Sequence, residues 1–189
     1  MVNEFVKKIS RTRSNLVVNR ISPYITNSKK LIDIGSGTGD VASLLIKEGK
    51  NVTPVDVDDY HGPRLVKTTI YDGKTLPFPN RSFDTALLLM VLHHTPNPEE
   101  VFLEACRVAH EVVVIETSFT NPVNKFFTVI SDTIGNLRIE AFWNSYKTDR
   151  GWKAFFEKHG FTIKDSHKFY DRNLGIIPFL HILYYLQRK

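Results

Sequence analysis

One short turn has glycine at every second position, and it carries the strongest signal for binding chemistry in the sequence. Gly35, Gly37 and Gly39 follow the apolar run 31–34, and apolar residues at helical spacing begin directly after them. Glycine has no Cβ atom, so the backbone of such a turn can bend sharply and lie directly against a ligand. Strand, tight turn and helix in this order form the first unit of a doubly wound α/β sheet. Ligands of such sheets bind at the carboxyl ends of the strands, where this turn lies.

The spacing and charge of this turn exclude a phosphate ligand. A dinucleotide fingerprint reads Gly-x-Gly-x-x-Gly, whereas here the third glycine is Gly39 and an aspartate, Asp40, follows it. The carboxylate of Asp40 would repel a phosphate at the helix N-terminus. A P-loop is excluded as well, because no Lys-Ser or Lys-Thr pair follows the glycines.

A second candidate binding residue stands at the end of the next predicted strand. Asp56 is the last residue but one of the run 51–57 and lies 17 residues beyond Gly39, the length of one helix and one strand. A carboxylate in this place can accept hydrogen bonds from both hydroxyls of a ribose. Asp58 is the alternative, since Pro54 favours a bulge that would shift the register of the strand.

The sequence 33–39, Asp-Ile-Gly-Ser-Gly-Thr-Gly, resembles the first motif of class I methyltransferases that depend on S-adenosylmethionine. Two further stretches resemble the same family: Leu-Pro-Phe, a polar turn and Phe-Asp at 76–84, and Leu-His-His followed by Arg-Val at 92–108. The three matches together cover residues 31–116. The chain departs from the family after Arg107, where the usual Lys-Pro-Gly-Gly turn is missing and the helix continues directly into the next strand.

The resemblance implies S-adenosylmethionine as the cofactor, with S-adenosylhomocysteine as its product. Asp33 would brace the glycine turn, Asp56 would hold the ribose, and Asp72 would accept a hydrogen bond from the exocyclic amine of adenine. Leu76 and Phe78 would be apolar neighbours of the purine. The complete set of implied cofactor contacts is Asp33, Gly35, Ser36, Gly37, Gly39, Asp56, Val57, Asp72, Gly73, Leu76 and Leu89.

Two adjacent histidines, His93 and His94, follow the predicted central strand, the apolar run 85–91. A histidine in such a position can act as a general base or a metal ligand. No cysteine or acid has metal-ligand spacing from the pair, so we predict no metal site. His94 is the candidate catalytic residue, and packing and hydrogen bonding around the cofactor are the alternative role of the pair.

Composition and charge are those of a globular domain with basic ends. Hydrophobic residues make up 42% and charged residues 24% of the 189 residues. Residues 1–30 hold seven Lys/Arg against one acid, residues 31–115 seven against twelve, and residues 116–189 eleven against seven. The acidic middle suits a cationic sulfonium, whereas the basic ends are either solvated faces or surfaces for an anionic partner. No signal peptide or transmembrane segment is predicted, and a cytoplasmic location is expected.

The predicted fold is one α/β domain over residues 1–189. The resemblance implies a Rossmann-like sheet of seven strands in the order 3-2-1-4-5-7-6, with strand seven antiparallel and helices on both faces. Residues 1–28 are expected to form an N-terminal helical cap. Residues 117–147 are expected to form a helical insertion, in which Asn121 and Pro122 begin a helix. The aromatic residues of this insertion are either core or the lid over a substrate.

The implied activity is transfer of a methyl group, by in-line displacement, to a small-molecule acceptor. The aromatic insertion suits an apolar or aromatic acceptor. An RNA methyltransferase is one alternative, favoured by the basic N-terminal segment, and its RNA affinity would fall steeply with salt. A non-catalytic binding module of the same fold is a second. A nicotinamide dehydrogenase conflicts with the glycine spacing and with Asp40.

Overall fold

The computed structural model describes residues 4–57, 65–136, 143–173 and 177–189, with side chains described throughout except at 4–10, 131–136, 172–173 and 177–178. The chain packs as two compact units. The first unit is formed by residues 1–89 and 104–113, and the second by residues 90–103 and 114–189.

Helices and strands alternate along most of the chain. In order they are α1 (Glu4–Ile21), β1 (Lys30–Ile34), α2 (Asp40–Lys47), β2 (Asn51–Asp56), β3 (Thr69–Ile70), β4 (Phe83–Leu89), α3 (Pro98–Val108), β5 (Ala109–Ser118), α4 (Pro122–Asn136), α5 (Asp149–Lys158), β6 (Phe161–Asn173) and β7 (Ile177–Arg188). Within the described residues, no helix has the length and apolar character needed to cross a membrane.

The strands form one sheet in the order β3-β2-β1-β4-β5-β7-β6. β1 pairs in parallel with both β2 and β4, β2 pairs in parallel with β3, and β7 runs antiparallel to β6. The predicted strand order and the antiparallel last strand are therefore confirmed. A parallel arrangement brings the carboxyl ends of β1, β2 and β3 to the same edge of the sheet.

The central strands are hydrophobic because both of their faces are covered. Leu31, Ile32 and Ile34 of β1 are buried, as is the apolar run 86–89 of β4. Strands buried on both faces read as continuous apolar runs instead of alternating patterns. The same burial encloses Asp33 in the middle of an apolar strand.

The last two strands are longer than the sequence pattern predicts. The apolar periodicity predicts strands at 161–163 and 181–186, whereas β6 has 13 residues and β7 has 12. A register shift between Ile163 and Asp165 interrupts the hairpin, and charged residues follow this shift in β6. These charges hide the strand, because β6 lies at the edge of the sheet, where its largely exposed residues need not be apolar.

Two helices begin with side-chain caps, the first of them in the place that the sequence predicts. Asn121 Oδ1 accepts a hydrogen bond of 2.8 Å from the backbone N–H of Asn124 at the start of α4. Thr148 Oγ1 accepts one of 3.1 Å from Gly151 N–H at the start of α5. Such caps satisfy N–H groups that have no partner within the helix.

Candidate functional site

The glycine turn between β1 and α2 requires glycine for its backbone geometry. Gly35, Gly37 and Gly39 have φ angles of 75°, 55° and 79°, which are strained for residues with a side chain. The backbone N–H groups of Gly35 and Ser36 donate to Val55 O over 2.9 and 3.1 Å, which fixes the turn against β2. The turn therefore holds its backbone close to the carboxyl end of β2.

Asp56 lies at the carboxyl end of β2, buried beside this turn. Its Oδ2 accepts a hydrogen bond of 2.7 Å from Gly37 N–H, and its Oδ1 accepts one of 2.7 Å from Val57 N–H. An ionised carboxylate has about four lone-pair sites, so each oxygen retains acceptor capacity. Asp56 thus orders the turn and has acceptor sites for two hydroxyl groups.

Asp33 of β1, just before the turn, and Ser36 within the turn are two further polar groups close to Asp56 in sequence or in space. Burial, and to a smaller extent the charge of Asp56, raises the pKa of Asp33 to about 7. A cation bound near Asp33 would favour its charged form. Ser36 Oγ is buried and has no hydrogen-bond partner among the described residues. A buried hydroxyl of this kind fits the binding of a polar ligand.

Asp72 and Gly73 follow β3 at the same edge of the sheet. Asp72 Oδ1 accepts hydrogen bonds from Lys74 N–H (2.9 Å) and Thr75 N–H (2.8 Å), and these bonds hold the pKa of Asp72 below its ordinary value. A Cβ atom on Gly73 would lie 3.1 Å from Val57 Cγ1, so the two residues are in close contact. The Val57 side chain is nevertheless 51% exposed. The Asp72 carboxylate, as a charged hydrogen-bond acceptor, and the exposed apolar side chain of Val57 together fit a flat heterocycle that carries an amine.

Leu76 and Leu89, the two remaining predicted cofactor contacts, are both buried in the first unit. Leu76 is held at its backbone by Glu104 and Arg107 of α3. Its N–H donates to Glu104 Oε2 over 2.8 Å, and its carbonyl accepts from Arg107 Nη2 over 3.0 Å.

Arg107 uses all five of its N–H donors, three of them to hold the segment 76–80 to α3 and two to bind Glu104 of its own helix. Nε and Nη2 donate to the two carboxylate oxygens of Glu104 over 2.7 and 2.8 Å. Nη1 donates to Phe78 O over 2.8 Å and to Asn80 Oδ1 over 2.9 Å. The planar guanidinium fork therefore fixes the segment that directly follows Asp72 and Gly73.

The second unit contains a buried Glu–His pair. Glu116 of β5 is fully buried, and its Oε1 accepts hydrogen bonds from Val91 N–H (3.1 Å) and Leu92 N–H (2.7 Å). Its Oε2 lies 2.5 Å from Nδ1 of the buried His93. One carboxylate thus fixes both the turn after β4 and the orientation of the His93 ring.

His94, the predicted catalytic residue, is half-buried next to this pair. Its ring centroid lies 4.1 Å from that of His93. The ring of the buried Tyr146 also contacts His93, with 4.8 Å between the two ring centroids. Lys147 follows Tyr146. Burial lowers the pKa of the Lys147 ammonium, and the charge of Glu116 opposes this shift. Aromatic rings, imidazoles and one cation therefore lie close together in the second unit.

Two residues of these sites were missed by the sequence reasoning. Glu116 was assigned only to the end of a strand, although an acid that closes the run 112–115 is a detectable signal. Arg107 was noted only as part of a motif. Asp58, the alternative ribose acid, lies outside the described residues. No group of three or more His, Cys, Asp or Glu side chains in the described ranges is placed to hold a metal ion.

A comparison with protein families identifies the class to which this fold and these sites belong. Residues 7–166 match the model of a methyltransferase domain family. The match covers well over half of the chain, and the sheet order is that of class I methyltransferases. The chain therefore belongs to the class I S-adenosylmethionine-dependent methyltransferase family.

Individual relatives are distant. A demethylmenaquinone methyltransferase from Tropheryma whipplei is 27% identical over 96 residues, which is 44% of this chain and 38% of that protein. The match spans only between 38 and 50% of the length of these curated methyltransferases.

Solved structures share the fold at low sequence identity. A methyltransferase dependent on S-adenosylmethionine from Thermotoga maritima has a TM-score of 0.72 and 16% identity, over 100% of this chain and 96% of that one. Magnesium protoporphyrin IX methyltransferase from Synechocystis, solved with bound S-adenosylhomocysteine, has a TM-score of 0.66 and 16% identity, over 100% and 89%.

Proposed function

We propose that this protein binds S-adenosylmethionine at the glycine turn and transfers its methyl group to a small, apolar or aromatic acceptor. The bound cofactor would supply a methyl group activated by a positively charged sulfur. The observation that carries the proposal is the arrangement of Asp56, which orders the turn through Gly37 and retains acceptor sites on both oxygens. The buried Ser36 hydroxyl without a partner in the described residues also supports it.

Each cofactor group has a chemically suitable residue in the first unit. We assign the ribose hydroxyls to Asp56 and the adenine amine to Asp72, whose lowered pKa keeps it an acceptor at neutral pH. The exposed Val57 side chain, in contact with Gly73, suits the purine face. Asp33 would face the cationic end of the cofactor, since a nearby cation stabilises its charged form.

The acceptor side of the proposal rests on the second unit. We assign the acceptor lid to residues 117–147 and the helical cap to residues 1–28 of one methyltransferase domain. His94 is proposed to take the proton that an acceptor loses, because it is only half-buried beside the fixed His93. The similarity to a demethylmenaquinone methyltransferase supports an apolar, aromatic acceptor.

Calorimetric titration with S-adenosylhomocysteine tests the cofactor assignment without a known acceptor. We expect one saturable site and at least a tenfold loss of affinity in Asp56→Ala, because a hydrogen bond to a charged group is worth about 1.5–3 kcal/mol. Asp84→Ala is the matched control. Like Asp56, Asp84 accepts two backbone hydrogen bonds, from Lys29 N–H (2.7 Å) and Lys30 N–H (2.8 Å). Asp84 lies at the beginning of β4, however, whereas Asp56 lies at the carboxyl end of β2.

The outcomes separate binding from folding. Asp84→Ala should keep the wild-type affinity within about twofold, because Asp84 contacts the start of β1 and none of the proposed cofactor residues. A twofold change in affinity corresponds to about 0.4 kcal/mol in binding free energy. An equal loss of affinity in both variants would mean that Asp56 acts through stability alone and would contradict its assignment. A folded wild type that does not bind S-adenosylhomocysteine would contradict the methyltransferase proposal and favour a non-catalytic module.

A further inference from the structure

Lys125 lies on the packed side of α4. It shares this side with the buried Thr128 and Val129, which follow it by three and four residues. The Lys125 ammonium lies 5.0 Å from the centre of the Phe119 ring and 4.7 Å from that of the Trp143 ring. At such distances a cation is attracted to the face of an aromatic ring. The half-buried Lys125 side chain therefore extends along the protein, against two rings.

Lys147 is placed against two further rings by contacts of its own. Its ammonium lies 5.3 Å from the centre of the Trp152 ring and 5.8 Å from that of the Phe155 ring, both on α5. Its backbone carbonyl accepts a hydrogen bond of 3.2 Å from Ser118 Oγ at the end of β5. Lys147 is half-buried, and Trp152 is fully buried. Contacts with β5 and α5 together thus fix the position of Lys147.

The same contacts place the two lysines near each other. Lys125 contacts the Phe119 ring. Lys147 contacts Ser118, the residue directly before that phenylalanine. Trp143, the second ring at Lys125, precedes Lys147 by only four residues. In agreement with this geometry, burial and then the charge of Lys147 lower the pKa of Lys125.

The charges of these two ammonium groups are not balanced by a carboxylate. In the described part of the chain, no acid forms an ion pair with Lys125 or Lys147. The charge of Glu116 favours protonated Lys147, but both Glu116 oxygens accept hydrogen bonds from residues 91–93. Asp149 pairs with lysines of α5 and β6 instead. Two like charges in one half-buried place are unfavourable until an anion joins them.

We propose that Lys125 and Lys147 bind the carboxylate of an aromatic acceptor. A carboxylate has two oxygens, so each ammonium donates a hydrogen bond to one of them. The Trp143 side chain, 43% exposed, provides an aromatic surface for the ring of the acceptor. Both lysines belong to the proposed acceptor lid, 117–147, so the inference rests on the proposed function where it names this ligand as the methyl acceptor. The binding of an aromatic carboxylate does not depend on it.

A matched pair of small aromatic probes tests the proposal on the full chain. The probes are 6-fluoro-2-naphthoate and its uncharged counterpart 6-fluoro-2-naphthamide, and fluorine NMR titration measures their affinities. Wild type should bind the naphthoate about tenfold or more tightly than the naphthamide, because only the naphthoate forms hydrogen bonds between charged groups. Lys125→Met and Lys147→Met keep the length of the side chain without its ammonium, and each should remove most of this preference.

Two further variants separate the site from general effects on folding and surface charge. Lys125→Arg keeps the charge and should retain most of the preference for the naphthoate. Lys158→Met is the matched control, because Lys158 belongs to the same unit but is 69% exposed and lies 3.6 Å from Glu99. It should bind both probes like wild type.

Three results would overturn the proposal. The first is a wild type that binds neither probe or binds both equally. The second is a loss of preference in Lys158→Met as large as in Lys125→Met, because the naphthoate would then respond to surface charge in general. The third is complete displacement of the naphthoate by an equal concentration of inorganic phosphate, because the lysines would then bind any small anion.

Titration with S-adenosylhomocysteine distinguishes a failure of this proposal from a failure of the proposed function. A wild type that prefers the naphthoate but does not bind S-adenosylhomocysteine would contradict methyl transfer and leave the carboxylate site standing. A wild type that binds S-adenosylhomocysteine without preferring the naphthoate would refute the carboxylate site alone.

Discussion

Replacing Arg107 by lysine removes the planar fork that holds the segment 76–80 while keeping the positive charge. The guanidinium donates five hydrogen bonds, to both carboxylate oxygens of Glu104, to Leu76 O, to Phe78 O and to Asn80 Oδ1. A lysine has three donors on one atom and cannot reach acceptors on both sides. We therefore expect Arg107→Lys to retain the contact with Glu104 and to release two or three of the others.

The size of the effect follows from these contacts. A hydrogen bond from a charged group is worth about 1.5–3 kcal/mol when it is well formed. Arg107 and Glu104 are partly exposed, 29 and 18% in their side chains, so water replaces part of each lost bond. We expect a net loss of about 2 kcal/mol in the free energy of unfolding. For a chain of this length that corresponds to a fall in Tm of about 4–8 °C.

Thermal unfolding and titration with S-adenosylhomocysteine are the two assays. Because the segment 76–80 directly follows the proposed adenine residues Asp72 and Gly73, the affinity of Arg107→Lys should also fall several-fold. Glu104→Gln removes the charge but keeps one acceptor oxygen, so a double-mutant cycle with Arg107→Lys measures the coupling of the pair. A Tm within about 1 °C of wild type and an unchanged affinity for Arg107→Lys would refute the role of the fork.

Two further predictions concern the glycine turn. Because burial raises the pKa of Asp33 from its ordinary value of about 3.8 to about 7 in the folded protein, the folded state keeps this proton to higher pH than the unfolded state. The free energy of unfolding should therefore fall as pH rises from about 4 to 7. In urea titrations the fall should be smaller in Asp33→Asn than in wild type, by up to about a few kcal/mol, because asparagine does not titrate. Parallel curves for the two proteins would contradict the shift. Gly39→Ala should destabilise more than Gly49→Ala: both glycines have φ near +80°, but only a Cβ on Gly39 meets another residue, 2.4 Å from Val66 Cγ2. The excess should be about 1–3 kcal/mol in the same assay, and equal losses would mean that Val66 yields without cost.

The parts of the structure that local sequence determines were predictable. The glycine turn follows from residue types alone, because positive φ angles at Gly35, Gly37 and Gly39 need no distant partner to be expected. The order of the seven strands came from motifs that resemble one family, and the sheet confirms it. The helix start at Asn121 was predictable because a capping side chain and the N–H group that it binds lie three residues apart.

Interactions between distant parts of the sequence were not predictable. Glu116 accepts hydrogen bonds from residues 91–93, which precede it by 23 to 25 positions, and Arg107 contacts carbonyls 29 and 31 positions away. No periodicity encodes such pairs. The length of β6 was hidden for a related reason: its charged residues pair with β7 across an antiparallel hairpin, and only the pairing makes them a strand.

The joint between α3 and β5 leaves no spare residue. α3 ends at Val108 and β5 begins at Ala109, so Arg107 stands one position from the end of its helix with a sheet strand directly behind it. Its own carbonyl accepts a hydrogen bond of 2.9 Å from Arg81 N–H, just past the segment that its side chain holds. Insertions and deletions here would turn Arg107 away by about 100° per residue. Insertions and deletions in related sequences should therefore be rare between Val108 and Ala109 and more frequent in other connections. A peptide inserted between these two residues should be poorly tolerated.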